Sequence, residues 1–130
     1  MSVADIIREL PDLITGKGVS DEEINKAEEE LGLVFASDYR AYLKEFGAIM
    51  YDGRSLTGIS KSKQLDVVDV TKTQRQYNAE VPKNYYVIEE LDVDGIVIWQ
   101  SDKGEIYRTS LNSGITKVGD SLTEFIMKNR

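Results

Sequence analysis

The chain has 130 residues, with 41% hydrophobic and 30% charged side chains, a balance that suits one globular domain and is too apolar for a disordered segment. It contains no cysteine and no histidine, which excludes disulfides, thiolate chemistry, serine–histidine triads and histidine-built zinc sites. The net charge of −7 disfavours the nucleic-acid backbone as a direct ligand and favours encounter with a basic protein. That charge is uneven: residues 1–50 hold eleven acidic and five basic side chains, residues 51–83 hold four and six, and residues 84–130 hold eight and five.

Val3, Ile6, Ile7 and Leu10 recur at helical spacing, so the chain opens on a short amphipathic helix that Pro11 ends or kinks. Leu13 and Ile14 are expected to extend its apolar face. Asp5, Arg8 and Glu9 break any signal-peptide pattern, and no apolar run approaches the roughly 18 residues of a membrane span, which points to a cytoplasmic protein without membrane contact. Thr15-Gly16-Lys17-Gly18 reads as a loop. Its Gly-Lys pair lacks the earlier glycine, the preceding strand and the following hydroxyl of a phosphate-binding loop.

Ser20-Asp21-Glu22-Glu23 is a capping box that opens a second helix, with Ile24, Ala27 and Leu31 on its buried face and Gly32 at its end. Glu28, Glu29 and Glu30 crowd its last turns as a solvated acidic face, where a basic partner would relieve their repulsion with the dipole. A third helix follows. Ser37 is the expected N-cap, Asp38 complements the positive helix end, Tyr39, Tyr42, Leu43 and Phe46 form one face, and Gly47 stops it.

Residues 48–60 form a turn-rich connection with a short strand expected at Leu56-Thr57. Residues 64–77 keep helical spacing through Val67, Val70, Gln74 and Tyr77, and Pro82 closes the region. The period then changes. Tyr85–Glu90 and Ile96–Gln100 are rich in β-branched and aromatic residues, with Asp94-Gly95 as the hairpin turn between them. Asp102-Lys103-Gly104 turns the chain into a strand at Glu105–Thr109, and Asn112-Ser113-Gly114 turns it into another at Ile115–Val118. Ser121 and Glu124 make a second capping box for a closing helix on Leu122, Phe125 and Ile126. An α+β fold follows: an antiparallel sheet of about four to six strands in the C-terminal half, covered by N-terminal, middle and C-terminal helices.

Three features invite chemistry. Asp92-Val93-Asp94-Gly95 resembles the centre of a calcium loop, but its twelfth place falls on Ser101, where a bidentate glutamate is required. Glu90 and Asp92 on one strand would face the same way roughly 7 Å apart, as a carboxylate pair for general acid and base work requires. Trp99 sits among Ile96, Val97 and Ile98 as core, while Tyr39, Tyr42, Tyr51, Tyr85, Tyr86 and Tyr107 supply candidate interface anchors. The bases at Lys61, Lys63, Lys72, Arg75 and Lys83 form the one positive stretch.

The order of these elements, with Leu31-Gly32-Leu33, Asp38-Tyr39-Arg40-Ala41-Tyr42-Leu43-Lys44-Glu45-Phe46-Gly47, Tyr86-Val87-Ile88, Asp94-Gly95, Asp102-Lys103-Gly104-Glu105-Ile106-Tyr107 and Ser121-Leu122-Thr123-Glu124-Phe125-Ile126, resembles the SUKH superfamily. That group includes a fungal cell-wall-assembly regulator and many bacterial immunity proteins. Phe35-Ala36 stands where the family often has Leu-Pro. The resemblance implies a single domain over residues 1–130 and a non-catalytic protein without cofactor or metal. It implies an immunity protein that neutralises a cognate polymorphic toxin, a basic nuclease, by protein–protein contact. The contact residues expected for that role are Tyr51, Asp52, Glu89, Asp92 and Asp94. A regulatory or scaffold module like the fungal branch, with several weaker partners, is the alternative reading, and a carboxylate enzyme using Glu90 and Asp92 is a third.

Overall fold

The computed structural model describes residues 2–111 and 113–129. Asn112, expected in the turn before the last strand, lies outside the described residues. In chain order the elements are α1 (Val3–Arg8), β1 (Ile14–Thr15), α2 (Asp21–Leu31), α3 (Ser37–Phe46), β2 (Ile49–Tyr51), β3 (Arg54–Leu56), α4 (Val67–Tyr77), β4 (Tyr85–Glu90), β5 (Val97–Ser101), β6 (Ile106–Ser110), β7 (Ser113–Gly119) and α5 (Leu122–Lys128). The fold is α+β. Strands β4-β5-β6-β7 form the expected antiparallel meander, and β1-β2-β3 form a second, three-stranded antiparallel sheet.

The small sheet corrects two expectations. Leu13 and Ile14 do not prolong α1; Ile14 pairs with Met50, so β1 lies on the edge of β2. The strand expected at Leu56-Thr57 is the end of a hairpin, β2 and β3, turned by Asp52-Gly53 with φ of 46° and 75°. Two positive φ angles in succession make the turn whose twist matches the flanking strands. The Asp94-Gly95 turn has the same form, with φ of 52° and 62°.

The β4–β5 half of the meander is covered on both faces. Tyr86, Ile88, Ile98 and Ile106 face the main core with α1, α2, α3 and α5, while Val87, Val97 and Trp99 pack with Val70 of α4 and with Val81 on the other face. Tyr86 to Glu89 are accordingly all buried, and strict alternation fails because neither side of β4 meets water. A bulge interrupts β4: Val87 pairs with Trp99, whereas Glu89 pairs with Ile98. The extra residue, Ile88, turns Glu89 to the α5 side and leaves Glu90 opposite Val97 on the α4 side.

The two sheets meet at Thr57. Its N–H donates to the Ile88 carbonyl at 2.9 Å and its hydroxyl to the Val87 carbonyl at 2.7 Å. The Tyr42 hydroxyl donates to the Thr57 carbonyl at 2.7 Å, and the Tyr39 hydroxyl reaches Thr57 Oγ1 at 3.0 Å. Burial pushes both phenols up, so they stay neutral donors. Gly58 follows for a steric reason: a Cβ there would lie 1.7 Å from the Gly47 carbonyl oxygen at the end of α3.

The helix ends divide between expected and unexpected caps. α2 carries the full Ser20/Glu23 capping box and ends on Gly32 at φ 69°. In α5, Ser121 Oγ accepts from the Glu124 N–H, and Glu124 turns its carboxylate to the Asp120 N–H. The N-cap of α3 is Ala36, not Ser37, and no side chain caps it. One N–H at this end finds a long-range acceptor, while the Asp38 carboxylate is used on other elements. The Ala36 N–H donates to the Tyr86 hydroxyl at 3.0 Å, and Asp38 accepts from Gln100 Nε2 at 3.0 Å and from the Leu122 N–H at 2.8 Å. α4 begins at Val67, capped by Asp66, later than residue 64, and its Tyr77 points to solvent rather than into the apolar face.

Replacing Thr57 by valine keeps the volume but strands the Val87 carbonyl and leaves the Tyr39 hydroxyl only its longer bond to the Thr57 carbonyl, at 3.2 Å. The expected loss is about 1–3 kcal/mol in urea unfolding, with unchanged far-ultraviolet circular dichroism. A loss below about 0.5 kcal/mol would show that the hydroxyl does not hold the junction.

Candidate functional site

The last turn of α4, the β4–β5 hairpin tip and the start of the β6–β7 connection enclose an open groove of about 760 Å³. Four carboxylates line it, Glu80, Glu90, Asp92 and Asp94, and its lining contains no lysine or arginine. Beside them stand three apolar side chains left unusually bare, Tyr77 at 77% exposure, Leu111 at 71% and Val93 at 53%.

Each part is positioned by ordinary packing. The bulge sends Glu90 towards α4, where Gln74 Nε2 donates to it. The Ile96 N–H donates to the Val93 carbonyl at 3.0 Å and closes the hairpin, which puts Asp92, Val93 and Asp94 on its exposed tip. The Leu111 N–H donates to the Asp94 carbonyl at 3.2 Å, tying the tip to the end of β6. Gly95 lies against the Leu111 side chain, where a Cβ would approach within 2.8 Å. Asn78 Nδ2 donates to the Gln74 carbonyl at 2.9 Å and finishes α4 just past Tyr77. Negative charge around exposed apolar groups suits a basic protein surface with an apolar projection.

Of the five residues expected to make contact, Asp92 and Asp94 line this groove together. Asp52 is exposed on the other hairpin turn and does not line the groove. Tyr51 and Glu89 are each only 1% exposed and offer a partner no surface. Glu89 is inward because of the bulge, and it pairs with Arg54 through two bonds, Nε at 3.0 Å and Nη2 at 2.6 Å. Arg54 Nη1 donates to the Asn129 carbonyl at 2.7 Å, and its guanidinium lies near the rings of Tyr51 and Phe125. The hydrogen bonds to Glu89 hold Arg54 above its ordinary value and keep it cationic. Burial raises the Tyr51 phenol, whose hydroxyl has no partner among the described residues.

Other sequence readings find their places. Glu90 and Asp92 sit at the strand end and the hairpin tip, in the open groove rather than a closed cleft. Glu28 is no solvated face residue: it accepts from the Phe35 N–H and from Arg40, both at 2.8 Å, and fastens α2 to α3. Trp99 is buried and donates to Thr109 Oγ1 at 3.0 Å. Among the described residues no group of three or more acidic side chains is disposed to hold a metal ion, and no helix is long and apolar enough to cross a membrane. The sequence reading put Tyr77 on the apolar face of its helix and passed over Leu111, because the two lie 34 positions apart and come to one groove only through the fold.

Glu89→Ala removes the carboxylate from a partly buried guanidinium, and a loss of about 2 kcal/mol or more in unfolding free energy is expected. The double replacement Arg54→Met with Glu89→Leu should recover most of it. A double variant as unstable as Glu89→Ala would show that packing, not the orphaned charge, is responsible.

A family model described as SUKH_5, SMI1-KNR4 cell-wall, matches residues 3–129. No curated protein matches the chain. The family is generally non-catalytic, and its members support an immunity-like or regulatory role. The match spans every element from α1 to α5, and the chain belongs to the SMI1-KNR4 family of the SUKH superfamily.

Proposed function

We propose that this domain is an immunity protein that binds and neutralises a cognate polymorphic toxin, a nuclease with a basic contact surface. The observation that carries this reading is the groove of four carboxylates without a cation, bordered by exposed Tyr77, Val93 and Leu111. The carboxylates steer a basic partner and set its orientation, which acts chiefly on the association rate. Protection of a cell requires slow dissociation, and that depends on buried anchors, the role assigned to Tyr77 and Leu111. Neutralisation follows from occupying the toxin's surface, with no bond made or broken by this chain. Tyr51 and Glu89 act at one remove, by packing and pairing with Arg54.

The test is co-expression with the toxin encoded beside this gene, followed by purification of the complex. Growth rescue and a stable complex are expected. Tyr77→Ala should speed dissociation by roughly tenfold or more, and Asp92→Lys should slow association and flatten its salt dependence. Absence of rescue and of a complex would overturn the reading. Several weak partners in place of one tight one would favour a regulatory module instead.

A further inference from the structure

On the opposite face of the sheet from the acidic groove lies a smaller cavity of about 280 Å³, and Leu91 lines both. Its floor is apolar: Val118 is half-buried, and Ile98 and Phe125 lie deeper, only 3% and 4% exposed. Its rim holds Arg54, Arg108 and Lys128, and among the described residues no acidic side chain lines it. In a chain of net charge −7 this runs against the composition.

The three cations are not equivalent. Arg54 is locked by Glu89 and the Asn129 carbonyl. Lys128 is half-engaged, with Glu124 2.8 Å away on the exposed side of α5. Arg108 pairs in register with Ile98, so the two side chains share a face. It is exposed, and among the described residues it has no hydrogen-bond or ion-pair partner. A free guanidinium fork beside an apolar floor matches a planar carboxylate attached to an apolar body, since the fork takes both oxygens and the floor takes the edge of the ring or chain. The volume equals about nine waters, enough for a single six-membered ring and its carboxylate.

We propose that this cavity binds a small organic carboxylate, with the apolar body on Ile98, Val118 and Phe125 and the carboxylate on Arg108, closed by Lys128. Phosphate suits the site less well, because the floor gives its outer oxygens no donors. The site uses the other face of the sheet, so it stands or falls separately from the toxin-binding reading.

The experiment is titration of the purified domain with benzoate, followed by amide and methyl NMR, with benzamide and inorganic phosphate as comparators. Saturable shifts at Ile98, Val118 and Phe125 are expected with benzoate, with benzamide and phosphate weaker by about tenfold or more. Arg108→Gln should weaken benzoate by about tenfold while leaving the melting temperature unchanged, and Lys128→Gln should weaken it less. Equal binding of benzamide, tighter binding of phosphate, shifts confined to other surfaces, or full affinity in Arg108→Gln would each overturn the proposal.

Discussion

The fold depends on one residue's worth of backbone, Thr57, where two sheets that share no ladder are joined. Its N–H, carbonyl and hydroxyl all find partners, on β4 on one side and on the tyrosines of α3 on the other. Each bond contributes modestly in water-exposed surroundings, but here all are buried, and leaving any one unmade strands a polar group in the core. The aromatic side chains follow from this. Tyr39 places its ring against Phe35 and Tyr86, Tyr42 places its ring against Tyr39 and Phe46, and each still delivers a donor to a buried acceptor, which phenylalanine cannot do.

Next to that junction, the bulge in β4 decides how the acidic residues are used. Successive glutamates at 89 and 90 leave the strand on opposite faces. One is consumed inside the molecule, neutralising Arg54 against α5; the other is offered outward beside α4. A regular strand would place Glu89 on the α4 side, beside Val87 and away from Arg54. The same irregularity therefore fixes the α5 end of the core and the charge of the groove.

The parts legible in the sequence are those with a strong local signal. The Ser20/Glu23 box, the β-branched run at 85–90, the Asp94-Gly95 turn and the 122/125/126 face are all where spacing and turn chemistry put them, and the run read at 96–100 forms a strand one residue later, at 97–101. β1, β2 and β3 were not legible as a sheet, since strands of two or three residues are too short to show a period. Ser37 is the first helical residue and not the cap; the Ala36 N–H is met instead by the Tyr86 hydroxyl, 50 positions away, and Asp38 is spent on Gln100 and on the Leu122 N–H, partners that no local spacing signals. Asp92 and Asp94 were legible as surface because a tight turn exposes its residues. The burial of Tyr51 and Glu89 was not, because it depends on a bulge and on Arg54, a residue without any motif around it.

Asp38 binds the first free N–H of α5, 84 positions further along the chain. During synthesis the start of α3 therefore waits for residue 122 to leave the ribosome before its carboxylate meets that donor. Until then the tyrosine cluster has no α5 to cover it, and the nascent chain presents aromatic surface to whatever is nearby. The start of α3 is therefore complete only once α5 has docked, and a contact of such long sequence separation is slow to close.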